Sequence, residues 1–325
     1  MKNVGIVALG KFLPEKRLTN FDLEKIVDTS DEWIRARTGI VERRVASANE
    51  KTSDLASRAA LAALKHSPIP ASKIELIIVA TISPDSNFPS MACLVQKTIG
   101  ARHAVAFDIG AACSGYLYAL TTAKQYILTG LYRNALVVAA ERITSLIDWK
   151  DRSTCILFGD GAGACVLAPV KGKGISADYM HSQGEYGELM SVVATDFRNP
   201  YNQKSTLTHL PYVVMHGQEL FKIAVHSMAD AVQKVLRKAH LKITDVDCIV
   251  PHQANDRIIS AVAKNLGIPK EKFFINIDKY GNMSAASIAV ALEEAVESRR
   301  IRKGDNVVLV AFGAGLVSAA NVIRW

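Results

Sequence analysis

The chain has 325 residues, 49% of them apolar, with no low-complexity tract, which is enough for a sizeable buried core and argues against disorder. Its formal charge of +8 is spread along the chain without a Lys/Arg block interleaved with aromatics, so nucleic acid ranks low and an anionic small molecule or an acidic protein partner ranks higher. Five scattered cysteines with no Cys-x-x-Cys or Cys/His ligand spacing suggest neither a disulfide framework nor a metal site, and fit a reduced, cytoplasmic compartment.

In chain order, residues 4–8 read as a strand and a helix starts at Thr19. Residues 28–39 form a second short helix closed by Gly39. The apolar run at the N-terminus is too short for a secretory signal. Residues 52–65 predict an alanine-rich amphipathic helix, 74–81 (IELIIVAT) a buried strand, and 89–100 another helix. Next comes a short apolar run, 104–107, then a turn of small residues and a helical pattern over 114–128 with Gly130 as its cap. Cys113 therefore stands between a strand end and a helix start, where free N–H groups and the positive end of the helix dipole favour a thiolate. Ala111, Ala112, Ser114 and Gly115 leave room for a thioester to approach it. A buried cysteine acting as a small apolar residue is the alternative.

Residues 135–140 (ALVVAA) give a further strand, and the repeated alternation of strand and helix argues for α/β layering with buried sheets. The stretch 158–164 (FGDGAGA) runs into an apparent strand at 164–167. A dinucleotide fingerprint needs a helix there, so the stretch reads as a structural turn. A polar break at 171–174 sets a boundary near residue 170, giving halves 1–170 and 171–325. Residues 180–215 read as a surface excursion.

The second half repeats the first. Residues 72–79 are echoed by 244–251, the Cys113 unit of strand, turn and helix by 273–284, and 133–138 by 305–310. Three matches in one order suggest an internal duplication that puts Cys113 and Asn282 at equivalent junctions. His252 leaves the strand 249–251 at its C-terminal end, a position that faces a cleft in open α/β sheets, although a core histidine satisfied by the backbone is the plainer reading. Asn282 could serve only as a helix cap. Together a thiol, a neutral imidazole and a carboxamide suit attack on an acyl carbonyl, with two donors left for an oxyanion. Residues 306–323 carry no charge, yet their glycines and Asn321 argue for two buried strands around a turn rather than a membrane span. Within them, Gly313 and Gly315 permit close backbone approach.

These residues resemble the β-ketoacyl-acyl-carrier-protein synthase III family of the thiolase superfamily over essentially the whole chain. The resemblance is carried by 31–34 (DEWI), 37–40 (RTGI), 112–115 (ACSG), Asp151-Arg152, 158–164, 252–255 (HQAN) and 281–287 (GNMSAAS). It implies a thiolase-like five-layered αβαβα fold, usually a homodimer. It also implies a ping-pong decarboxylative Claisen condensation of a short acyl-coenzyme A primer, typically acetyl, with malonyl-acyl carrier protein, initiating fatty acid synthesis. Coenzyme A thioesters are substrates in this scheme, and no cofactor is expected.

By the same resemblance Cys113 carries the acyl group, and His252 and Asn282 hold the thioester oxygen during decarboxylation. The backbone N–H groups of Cys113 and Ala314 form the other oxyanion hole. Trp33 and Arg152 sandwich the adenine, and Arg37 reaches the nucleotide. Arg257, Lys264 and Lys222 meet the acidic carrier protein, a role for which a solvated helix face is the plain alternative. Phe88 reaches across the dimer to cap the acyl pocket. Two departures bear on primer choice: Ala314 stands where a glycine is common, and Met283 where threonine is common. The rival within the fold is a relative that moves an acyl group to a hydroxyl or amine of a secondary metabolite. A hydroxymethylglutaryl-coenzyme A synthase would carry a glutamate where Ile82 stands. A biosynthetic thiolase would carry a second cysteine within 311–318.

Overall fold

The computed structural model describes residues 3–192, 201 and 212–325. Much of the excursion expected over 180–215 therefore lies outside the described residues. Nine strands make two sheets. The first contains β1 (Asn3–Phe12), β2 (Leu76–Ala80), β3 (Val105–Ile109), β4 (Ala135–Glu141) and β5 (Gly161–Val170), in the order β1-β5-β4-β2-β3. Strands β3, β2 and β4 run parallel. The second contains β6 (Gly174–Ser182), β7 (Cys248–Pro251), β8 (Asn306–Gly313) and β9 (Val317–Arg324), in the order β7-β8-β9-β6. Here β7 and β8 are parallel, and β8 and β9 are the antiparallel pair expected of the uncharged C-terminal stretch. Every residue of β2 and β4 is buried, as parallel strands covered on both faces require.

Seven helices position the site: α1 (Asp31–Thr38), α2 (Thr52–Lys65), α3 (Met91–Ile99), α4 (Gly115–Leu128), α5 (Gly217–Lys238), α6 (Asp256–Leu266) and α7 (Ala286–Glu297). Helices α2 and α3 cover the outer face of the first sheet, α5 and α6 that of the second. Helices α4 and α7 lie between the sheets and touch both, completing five αβαβα layers. Their burial reflects this placement. Residues 286–292 of α7 are buried all round, and α4 buries Tyr116, Leu117, Ala119, Leu120 and Ala123.

The structure corrects two readings. Gly161 to Ala164 belong to β5 and pair with β1 and β4, so they are not a turn. Their glycines answer to α7 and its preceding loop: a Cβ on Gly163 would lie 2.5 Å from that of Ala289, and one on Gly161 2.5 Å from the Met283 sulfur. The echo of the Cys113 unit at 273–284 contains no strand, only two isolated parallel bridges, one between Ile249 and Phe273 and one between Phe158 and Asn282. The buried Gln253 side chain takes the bonds a longer ladder would have made. It donates to the Phe274 carbonyl (3.1 Å) and accepts from the Asn276 N–H (3.0 Å). Among the described residues no helix is long and apolar enough to cross a membrane, and no cluster of His, Cys, Asp or Glu could hold a metal.

Candidate active site

The parallel strands β2, β3 and β4 end on one edge of the first sheet, and β7 and β8 end facing them. Beyond β3 the chain makes a one-turn 3-10 helix, Ala112–Ser114, which begins with Ala112 at φ +44° and delivers Cys113 to the start of α4. Gly313, the last residue of β8, presses on this turn. A Cβ there would stand 2.7 Å from the Cys113 nitrogen, so the close approach requires glycine.

His252 follows β7 and extends its ladder by donating its backbone N–H to Val310 (2.8 Å). Its ring Nδ1 lies 2.7 Å from Ser287 Oγ on α7. Asn282 sits in the loop before α7. Its backbone is latched to the first half through Leu157 (2.9 Å) and Gly159 (3.0 Å). Its side-chain oxygen accepts from the Ser284 N–H at 2.8 Å, so it caps its own turn and not α7, and its amide group is left free of protein partners among the described residues. Cys113, His252 and Asn282 line one cavity of about 460 Å³, together with Trp33, Arg37 and Phe221.

Burial pushes the Cys113 thiol up to about 12, opposed by the Ser284 hydroxyl and reinforced by the Glu141 carboxylate. Desolvation therefore opposes the thiolate that the helix start favours. Burial alone holds His252 down at about 3, so its imidazole is neutral. Ser287 has one proton for two acceptors, His252 Nδ1 and the Ser284 carbonyl at 2.8 Å, and its choice decides the imidazole tautomer.

The Arg152 guanidinium stacks on Trp33 at 4.9 Å and that of Arg37 at 5.8 Å. Trp33 is held on α1, which Ser30 caps and Gly39 ends. Arg152 also donates to the Asp28 carbonyl at 2.8 Å, and its 4.9 Å distance from the ring leaves no room for a base between the two in this arrangement. Ala314 lies just past β8 and lines an adjoining cavity of about 570 Å³ with Ala112 and Ile82. Exposed Arg257 on α6 stacks on Phe221 at 5.9 Å, near the mouth of the first cavity. Lys264 is exposed on the same helix. Lys222 is exposed on α5 and shares its groove with Glu185, Glu188 and Glu219, so its surroundings are not purely basic. Phe88 is 84% exposed and outside both cavities.

Sequence reasoning passed over Ser284, Ser287 and Glu141. The one available signal was Glu141, a lone carboxyl ending an otherwise apolar strand.

The chain is similar to known proteins along nearly its whole length. Residues 107–184 match the family model described as 3-oxoacyl-[acyl-carrier-protein (ACP)] synthase III, and residues 236–325 match that described as its C terminal. The chain is 50% identical over 322 residues to the β-ketoacyl-[acyl-carrier-protein] synthase III of Caldanaerobacter subterraneus subsp. tengcongensis, covering 99% of this chain and 97% of that one. It is 51% identical over 321 residues to the same-named protein of Clostridioides difficile, covering 99% and 98%. The crystal structure of 3-oxoacyl-[acyl-carrier-protein] synthase III from Aquifex aeolicus VF5 superposes with a TM-score of 0.93 at 46% identity, covering 99% of this chain and all of that one.

Proposed function

The chain belongs to the β-ketoacyl-[acyl-carrier-protein] synthase III family and is an acyl-transferring condensing enzyme of fatty acid synthesis with a thiolase-like fold, and from that premise we propose a ping-pong reaction in which Cys113 takes an acetyl group from acetyl-coenzyme A and passes it to malonyl-acyl carrier protein. The observation that carries this reading is one cavity holding a thiol, a neutral imidazole and a free carboxamide. In the first step Cys113 Sγ attacks the thioester carbonyl and the coenzyme A thiolate leaves. The N–H groups of Cys113 and Ala314 hold the oxyanion. In the second step the malonyl carboxylate leaves as carbon dioxide. The negative charge that develops on the thioester oxygen meets the Asn282 amide and His252 Nε2–H. That donor exists when Ser287 gives its proton to Nδ1, so the decarboxylating state selects this tautomer.

Trp33 and Arg152 would stack on the adenine of coenzyme A, and Arg37 would reach its nucleotide portion. Arg257, Lys264 and Lys222 would meet the acidic carrier protein. The homodimer belongs to this reading as well. Strand β3 is an unpaired edge with half-exposed residues, and Phe88 stands exposed where a second copy would take it up.

Intact-protein mass spectrometry tests the reaction. Acetyl-coenzyme A should add one acetyl group to the wild type and none to Cys113→Ala. Malonyl-acyl carrier protein should then remove it with formation of the acetoacetyl carrier protein. A stable acyl-enzyme that malonyl-acyl carrier protein leaves intact would overturn the condensation, and no acylation at all would overturn the nucleophile.

A further inference from the structure

Glu141 is a carboxyl group the condensation scheme does not use, and three consecutive residues of a neighbouring segment donate to it. It ends β4, and its side chain is fully buried. Its oxygen Oε2 accepts from Ser83 Oγ (2.6 Å), the Ile82 N–H (3.1 Å) and Thr81 Oγ1 (3.2 Å). Ser83 Oγ in turn accepts the Arg142 N–H (2.9 Å), so the end of β4 is tied to this segment by side chain and backbone alike. Among the described residues no Lys, Arg or His pairs with the carboxyl, and burial raises it to about 7. A buried carboxyl without a cation is costly to keep, and packing alone would be served by an apolar side chain.

Residues 81–90, which link β2 to α3, form neither helix nor strand. Side chains of their neighbours hold them instead. Glu141 holds residues 81–83, and Thr52 Oγ1 on α2 donates to the Ser83 carbonyl (2.6 Å). At the far end, Asp108 on β3 accepts the Met91 and Ala92 N–H groups, both at 2.7 Å, where α3 begins. Between these anchors Ile82, Ser83, Pro84 and Asn87 line the cavity of about 570 Å³. The two cavities meet at the Cys113 turn: Cys113 and Gly313 line the smaller, Ala112 and Ala314 the larger. Trp33 and Arg37 lie in the smaller. An acyl chain that extends from Cys113 away from them therefore has Ile82 and Pro84 as a wall, together with Leu146.

We propose that Glu141 is a positioning residue for primer selection, which fixes residues 81–84 as the wall of the larger cavity against which an acyl chain longer than acetyl lies. This rests on Cys113 being the acylated nucleophile. An acetyl group has only a methyl beyond its carbonyl and stays beside the sulfur. A butyryl group carries two methylenes more, and these gain from apolar contact only where Ile82 and Pro84 are already held in place. Glu141 itself lines neither cavity. It acts through the Ile82 backbone and the Ser83 hydroxyl, the two groups it binds most closely.

Single-turnover acylation of Cys113 by acetyl- and butyryl-coenzyme A, followed over a range of concentrations by intact-protein mass spectrometry, tests the assignment. The wild type should take both groups. Glu141→Ala should lower the butyryl-to-acetyl ratio of acylation rate constants about 10-fold, the scale of a lost methylene contact, through weaker saturation by butyryl-coenzyme A. Glu141→Gln keeps an oxygen acceptor for the same donors and should restore most of the ratio. Ser83→Ala removes one bond of the clamp and should move the ratio the same way by a smaller factor. It carries the test should Glu141→Ala fail to fold. Equal losses with both primers would overturn the assignment, because a carboxyl that only supports the fold does not distinguish them. A wild type that takes acetyl and never butyryl would overturn it too. A wild type acylated by neither would overturn the nucleophile instead.

Discussion

At the scale of single residues, burial governs the chemistry. His252 titrates at about 3 in the fold against 6.5 unfolded. Its folded value is depressed, so the unfolded chain binds the proton first, and stability present above pH 6.5 is lost as pH falls toward 3. The loss is roughly 5 kcal/mol by linkage. Thermal melts should therefore fall steeply below pH 6.5, and His252→Gln should flatten that part of the curve. Glu141 has the opposite sign. Its folded value of about 7 lies above 4.5, so its contribution is intact below pH 4.5 and is lost as pH rises through 7. Ser287 decides the tautomer, so Ser287→Ala should cut malonyl-acyl carrier protein decarboxylation about 10-fold or more while leaving acetylation of Cys113 near wild type. Equal loss in both half-reactions would mean that Ser287 only supports packing. Cys113, His252 and Asn282 were legible because each carries recognisable chemistry at a strand end or turn. Ser284 and Ser287 were not, because a serine shows its role only through the buried atoms around it.

At the scale of elements, what decided each segment was often its neighbour. Helices α4 and α7 are covered because a sheet packs on either side of them, which their own residues, with Thr122, Lys124 and Gln125 in one and Glu293, Glu294 and Glu297 in the other, do not announce. The glycines of β5 read locally as a turn, since nothing within 158–164 reveals that α7 and its preceding loop press against the strand. The missing strand at 273–276 has the same kind of cause, because the Gln253 side chain supplies the ladder from a distance. Gly313 shows how far such contacts reach into function. Gly313→Ala would place a methyl 2.7 Å from the Cys113 nitrogen, so acylation should fall at least 10-fold with the fold retained by circular dichroism. Helix α1 presents Trp33 to the cavity mouth, and stacking on a base is worth about 1–3 kcal/mol, so Trp33→Ala should raise KM for acetyl-coenzyme A roughly 10-fold with little change in kcat.

At the scale of the whole molecule, the two halves are joined where the chemistry lies. Phe158 and Asn282 form a bridge between them, and Gly313 abuts the Cys113 turn, so the cavity exists only when both sheets are docked. The repeated strand pattern made β2, β4, β7 and β8 legible from sequence, while the latch between the sheets depends on backbone contacts that no pattern of residue types encodes. Strand β3 is one of the sheet edges this assembly leaves. Among the described residues no strand pairs with its outer side, Val105 is 47% exposed and Phe88 is 84% exposed nearby in sequence. Bare apolar edges of this kind invite a second strand, and a twofold-related β3 would pair with it and continue the sheet through both copies. Sedimentation equilibrium should accordingly give a dimer. Val105→Lys, which places a charge on the edge, should shift the population toward monomer, with acylation weakened in proportion if Phe88 of the second copy completes the acyl pocket. A wild-type monomer that acetylates Cys113 at full rate would show that one chain holds the whole site.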